Sequence, residues 1–191
     1  MRIVAGTFRG RPLVAPKGHS TRPTADRARQ AIFNVLDHAA WSPGLTGLRV
    51  IDLFAGSGAL GIEAISRGAA YCLFIDRAED ARAAIRANLD YLALGPRART
   101  DRRDGAAPGR PPPGDGAPFD LAFLDPPYGA GLAERSLDAL AAGGWLAADA
   151  IAVVERGVAD PVVVPAAFEP LDERVWGAAR VSFLRHSPLA A

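Results

Sequence analysis

Residues 48–68 read "LRVIDLFAGSGALGIEAISRG", and the order of residue types in that stretch decides the architecture. An apolar run carries a single acid, Asp52, and gives way to glycines at 56, 58 and 61. The apolar residues that follow suit a helix. A strand that stops at G-x-G-x-x-G and restarts as a helix is one half of a strand–helix–strand unit. The rest of the chain repeats the alternation. "YCLFID" is a strand, and the alanine-rich "EDARAAIRANLDYLAL" is a helix closed by Gly95-Pro96. A third strand precedes "RRDGAAP". "LAFLD", a helix near Leu132 to Leu140 and "AIAVVE" at Ala150 to Glu155 complete the series. Such alternation predicts a doubly wound, parallel α/β sheet. At the end, "DERVWGAARVSFLRH" reads as two strands about Gly177 and predicts an antiparallel hairpin at one sheet edge.

The glycine loop admits two ligands. In a nicotinamide-dependent dehydrogenase the glycines let backbone approach a pyrophosphate at a helix N-terminus. The same turn passes under S-adenosylmethionine, which contains adenosine but no phosphate. Position 52 separates the two, because a carboxylate in the last turn of the strand repels a pyrophosphate and pairs with a methionine ammonium. Asp76 ends the second strand 24 positions later, close to the spacing expected of an acid that binds ribose hydroxyls. Asp104 and Gly105 follow the third strand, where a side chain and an N–H could read an adenine edge, although Asp-Gly is also ordinary turn chemistry.

A second motif interrupts the strand at Leu121–Leu124, which stops at Asp125, Pro126, Pro127 and Tyr128. Proline has no N–H and a fixed φ, so the two prolines end the ladder and stiffen the turn. Ligands of an open α/β sheet bind beyond the carboxyl ends of the strands. The turn is therefore expected to border the pocket floored by the glycine loop. Acceptors and an aromatic ring beside a methyl donor suit a planar base bearing an exocyclic amine, whose lone pair is delocalised into its ring. Hydrogen bonds from the amine to Asp125 and the Pro126 carbonyl would favour pyramidalisation, and Tyr128 could stack on the base. A base within a helix cannot reach such a pocket, so the target must be unpaired or flipped out.

The remainder of the chain bounds the setting. The 191 residues are 49% hydrophobic and 23% charged, enough for one main domain. No apolar run reaches the ~20 residues of a membrane span, and the N-terminus lacks a signal-peptide core, so a cytoplasmic protein is expected. Cys72 is the only cysteine and the three histidines are scattered; neither a disulfide nor a metal site is expected. Net charge is +1, but residues 1–30 hold seven arginines and lysines against Asp26 alone, a net +6, which leaves −5 on the rest. A basic arm on an acidic body suits a polyanion, although it also describes a solvated face. The arm opens with "RIVAGTFRGRPLVAP", a short hairpin. "STRPTADRARQAIFNVLDHAAW" then contains a helix with Thr24 as N-cap and a core stripe of Ala28, Ala31, Ile32, Val35 and Leu36, leaving Arg27 and Asn34 outward. The proline- and glycine-rich "PGRPPPGDGAP" at 108–118 reads as an exposed loop.

"DLFAGSGALG" followed by "DPPY" resembles the amino-methyltransferases of the class I fold, whose catalytic motif is (D/N)PP(Y/F/W). With "RIVAGTFRGRPL", "RPTADRARQAIFN" and "GGW" at 143–145, the chain is similar over nearly its whole length to the RsmD family of bacterial 16S ribosomal RNA guanine-N2 methyltransferases. The resemblance implies a seven-stranded Rossmann-like sheet with an antiparallel C-terminal hairpin, in a methyltransferase domain over 41–191, and an RNA-facing hairpin-and-helix extension over 1–40. It implies S-adenosylmethionine as cofactor, bound by Asp52, Phe54, Ala55, Gly56, Ser57 and Gly58 at the methionine end, by Asp76 with Arg77 at the ribose, and by Asp104 and Gly105 at the adenine. Asp125, Pro126, Pro127 and Tyr128 would hold the guanine amine. Arg9, Arg11, Arg22 and Arg27 would contact 16S ribosomal RNA or the small subunit, with a monomer acting alone and without metal. The catalytic motif is shared with adenine-N6 enzymes acting on DNA or RNA, the nearest alternative; a nicotinamide oxidoreductase and a non-catalytic RNA-binding module stand further off.

Overall fold

The computed structural model describes residues 1–16, 23–112, 118–127, 131–161 and 163–188, and of residues 23–26 the backbone alone. Strand β1 (Arg49–Leu53) lies at the centre and pairs in parallel with β2 (Tyr71–Ile75) on one side and with β4 (Phe119–Leu124) on the other. Beyond β2 lies β3 (Ala98–Asp101). Beyond β4 come β5 (Leu146–Gly157), then β7 (Ala179–His186), then β6 (Phe168–Trp176), the last two antiparallel. The order β3-β2-β1-β4-β5-β7-β6 makes seven strands with the expected terminal hairpin. The chain winds outward through α2 (Ala59–Ser66), β2, α3 (Glu79–Tyr91) and β3, then returns to β4 beside β1. Strand order therefore reverses between β1 and β4, which is where such sheets open a crevice at their carboxyl ends.

Period-two alternation sends consecutive strand residues into two cores. Val50, Phe74, Phe123 and Val153 pack with Ile32, Phe33 and Leu36 of α1 (Pro23–His38) and Ile62 of α2. On the opposite face Ile51, Leu73, Leu124 and Val154 pack with Leu137 and Leu140 of α4 (Leu132–Gly143) and with Trp145. The α1 stripe falls inward as expected, joined by Phe33 and the buried Arg29, while Arg27 and Asn34 are exposed. The helix starts at Pro23, whose missing N–H costs nothing at a first helical position, so Thr24 lies inside the first turn and is not its cap. Strand β5 runs four residues earlier than its apolar core suggests. The "AADA" stretch at 147–150, with Asp149 at φ 61, forms a bulge opposite Phe119–Leu121, which lets Leu146 pair with Phe119 ahead of the regular ladder from Ile151. Within residues 102–112 the loop has no helix or strand but is pinned: Trp145 Nε1 donates to the Gly109 carbonyl at 2.7 Å, and Arg103 to those of Pro108 and Arg110 at 2.6 and 3.0 Å.

The N-terminal segment turns back on itself as a hairpin would. Gly10 N–H donates to the Ile3 carbonyl at 2.8 Å and Ile3 N–H to that of Arg11 at 3.0 Å. It is fastened to the sheet domain by polar groups of α2. Glu63, fully buried, accepts the Val4 and Ala5 N–H groups at 2.8 and 2.9 Å and pairs with Arg67 at 2.8 Å. Ser66 Oγ donates to the Ala5 carbonyl and accepts from Phe8 N–H. Gly6, at φ +79, approaches so closely that a Cβ would lie 1.9 Å from the Ser66 carbonyl oxygen. Ile3 and Leu13 enter the same core as α1 and α2.

Candidate active site

The loop after β1 takes its shape from three left-handed residues, Phe54 (φ 58), Gly56 (φ 56) and Gly58 (φ 77). For the glycines this is free, whereas for Phe54 it stores strain of order 1–3 kcal/mol, the kind that surrounding contacts hold in place at functional sites. The contact here is Gly105, where a Cβ would come within 2.8 Å of the Phe54 ring. The third glycine of the motif has another task. A Cβ on Gly61 would meet the Phe74 ring at 2.4 Å and Cys72 Sγ at 2.5 Å, so its absence sets how closely α2 packs on β2.

Two acids brace this loop from either end. Asp52 accepts the Gly61 N–H at 3.0 Å, and Asp76 accepts those of Gly56 at 3.0 Å and Ala78 at 2.8 Å. Arg82 reaches back to the Asp76 and Arg77 carbonyls at 3.0 and 2.7 Å, fixing the turn after β2 and leaving Arg77 itself exposed. Asn88 of α3 bonds the Ser57 carbonyl at 3.0 Å while exchanging two bonds with Val14, which ties the glycine loop to the N-terminal segment. Asp104, exposed, accepts the Ala106 N–H at 2.9 Å in an Asx turn. The residues expected at the cofactor thus lie together at the ends of β1, β2 and β3.

Asp125 follows β4 by one residue. Register pairs Leu53 with Leu124, so the glycine loop and the Asp125–Pro127 turn leave neighbouring strands side by side at the switch point. Asp125 is exposed as a residue, yet desolvation by the protein crowding one side of it, with the charge of Glu155 adding, raises its carboxyl pKa to about 7. Asp52, only 1% exposed, is pushed well above the usual carboxylate range. Burial is the main cause, the Gly61 N–H opposes it, and the charges of Asp125 and Asp76 add to it. A buried carboxyl that feels two neighbouring carboxylates marks a site that favours a cationic ligand and disfavours a diphosphate. A sulfonium bearing an ammonium fits them. Beside the turn is a cavity of about 100 Å³, walled by Pro126, Pro127, Leu132, Glu155 and Arg156. Tyr128 and Arg22 lie outside the described residues.

The arm forms a second concavity, of about 340 Å³, between the hairpin and α1, lined by Arg2, Arg9, Arg27 and Gln30. Arg9, Arg11 and Arg27 are all exposed, with Arg11 resting 5.5 Å over the Phe8 ring. Arg29 belongs to a different class. It is buried, donates to the Arg2 carbonyl at 2.6 Å and lies 3.8 Å from Glu63. Among the described residues no group of three or more His, Cys, Asp or Glu could hold a metal ion, and no helix is long and apolar enough to cross a membrane.

A family model described as "Conserved hypothetical protein 95" matches residues 1–185. Ribosomal RNA small subunit methyltransferase D of Escherichia coli is 36% identical over 178 residues, 93% of this chain and 85% of the relative. The chain belongs to the RsmD family. The Haemophilus influenzae enzyme of the same name is 32% identical over 93% of this chain and 89% of its own. The solved structure of yhhF from Escherichia coli superposes with a TM-score of 0.82 at 34% identity, covering 99% of each chain. As a member of the RsmD family the chain is a methyltransferase whose cofactor is S-adenosylmethionine, and the oxidoreductase and binding-module readings fall away. Sequence reasoning passed over Asn88, Glu63 and Ser66, polar residues on helices whose partners lie up to 74 positions away. It also passed over Glu155, although an acid at the end of a parallel strand is the signal that marked Asp52, Asp76 and Asp125.

Proposed function

We propose that the chain transfers a methyl group to the exocyclic N2 amine of a guanine in the 16S ribosomal RNA of the small subunit. The observation that carries this is the placement of the Asp125–Pro127 turn at the end of β4, the strand adjoining β1 and its glycine loop, with Asp125 near enough for its charge to act on Asp52. Relatives named for small-subunit ribosomal RNA methylation support the choice of RNA.

Bound S-adenosylmethionine supplies a methyl group activated on a positively charged sulfur. Asp52 and residues 54–58 would hold its methionine end, Asp76 with Arg77 its ribose, and Asp104 with Gly105 its adenine. The chain's own contribution is positioning and charge. Asp125 and the Pro126 carbonyl each accept one N–H of the amine, drawing its lone pair out of conjugation and aiming it. With a carboxyl pKa near 7, Asp125 is also matched to taking up the proton the amine sheds. The hairpin and helix of residues 1–40 form the RNA-facing extension, with the Arg2, Arg9 and Arg27 concavity as its phosphate-binding face, and residues 41–191 form the catalytic body. The test is incubation with labelled S-adenosylmethionine and unmodified small-subunit particles, then nucleoside analysis. N2-methylguanosine is the expected product; labelled N6-methyladenosine would overturn the guanine assignment.

A further inference from the structure

The Asp125–Pro127 turn explains how an amine is held but not why guanine rather than adenine supplies it. Strand β5 answers from the other side of the cavity. Strands β4 and β5 pair in parallel with Phe123 opposite Val153 and Leu124 opposite Val154. The next residues, Asp125 and Glu155, therefore follow adjoining strand positions at a spacing of about 4.8 Å, and period-two alternation along β5 places Glu155 on the sheet face that carries Asp52. Glu155 and the two prolines wall the same cavity of about 100 Å³. The charge of Glu155 is felt at Asp125, in keeping with that spacing.

The chemistry of the two purines then decides what this acid reads. In guanine the N2-bearing carbon lies between N3, a lone pair, and N1, which carries a hydrogen and donates. In adenine the ring atom next to the N6-bearing carbon is also N1, but there it is a lone pair. A carboxylate beside the amine holder accepts from the first and repels the second. We propose that Glu155 accepts the N1–H of the target guanine and so selects guanine over adenine at a turn that would hold either amine. The inference rests on the reading that Asp125 holds the guanine N2 amine.

2-Aminopurine keeps the 2-amine but has a lone pair at N1. Once the acceptor nucleotide has been mapped by N2-methylguanosine formation with the wild-type enzyme, it is replaced in the small-subunit RNA by 2-aminopurine riboside. The wild-type enzyme is expected to prefer guanine by about 100-fold or more, since a site built to bond a donor rejects an analogue that lacks it. In Glu155→Gln, whose amide can donate to N1 or accept from N1–H, the preference should collapse to within about tenfold of unity, chiefly through a gain on 2-aminopurine. Equilibrium binding of the two RNAs without methyl donor should give the same direction. A purely structural role would lower both activities together and leave the ratio unchanged, which overturns the proposal. Equal wild-type rates on both bases also overturn it, without reference to any variant. Wild-type enzyme that makes no N2-methylguanosine at all refutes the underlying reading instead, and that is known before any analogue is used.

Discussion

The two sides of the switch point are built by different means. On the cofactor side, ten consecutive positions from Asp52 to Gly61 span the end of β1, the glycine loop and the first residues of α2, and Asp52 and Asp76 spend hydrogen bonds on N–H groups of that stretch. On the target side, Asp125 and Glu155 are thirty positions apart in sequence and meet only because β4 and β5 adopt one register. The contiguous half suits a ligand that is the same in every enzyme using it. The half assembled by register can change one strand end at a time, which is where discrimination between bases can be set. If that division is real, substitutions on the two sides should have separable effects.

The largest effect is expected from Asp125→Ala. On the proposed reading it removes an acceptor that acts only on the reacting amine, so turnover should fall on the order of 10³-fold, while calorimetric affinity for S-adenosylmethionine stays within severalfold. Loss of cofactor binding in this variant would merge the two halves. The converse is Asp52→Ala, which deletes a buried acid from the cofactor side and frees the Gly61 N–H. Cofactor affinity should drop about 10- to 100-fold, the range for a charged hydrogen bond, with RNA affinity unchanged. An unchanged cofactor affinity would leave Asp52 as a brace for the loop and nothing more.

How much of this was legible in the sequence follows the same division. The sheet, the hairpin about Gly177 and the placement of Asp52 and Asp76 at strand ends could be read because each is encoded locally, by period, by glycine spacing or by an acid closing an apolar run. The N-terminal arm shows the opposite. Its arginines could be counted, but Arg29 turned out to be buried against Glu63, because charge counts say nothing about which face of α1 a residue occupies. Thr24 was misread as the cap because Pro23 can itself open a helix, which puts Thr24 at the second helical position. The bulge in β5 and the packing of Phe54 on Gly105 depend on register and approach between distant segments, and no short pattern encodes them.

A pH profile sharpens the comparison further. A carboxyl whose pKa is raised to about 7 is protonated below that value and loses an acceptor, so kcat/KM for RNA should decline as pH falls through 7, approaching tenfold per pH unit well below it. An ordinary carboxylate would hold its activity down to about pH 5. Asp125→Asn should flatten the profile. Glu155→Gln should move the midpoint down, because it removes the negative charge that helps to raise it; a midpoint that stays at 7 would place the two acids further apart than the register implies.

The smallest effect, and the one that reaches beyond both halves, concerns the concavity lined by Arg2, Arg9 and Arg27. All three are exposed, so replacing any one by alanine should leave the melting temperature nearly unchanged. If each neutralises a phosphate, RNA affinity should weaken equally for cognate and unrelated RNA. The slope of log affinity against log salt should also lose about 0.7 to 0.9 per arginine removed. Arg29→Ala is the internal control. Its guanidinium is committed to Glu63 and the Arg2 carbonyl, so it should lower stability, and any loss of RNA affinity should follow the folded fraction with the slope unaltered. Equal slopes in all four variants would mean that the positive arm is a solvated face. Orientation of the base would then rest on the Asp125 and Glu155 side alone.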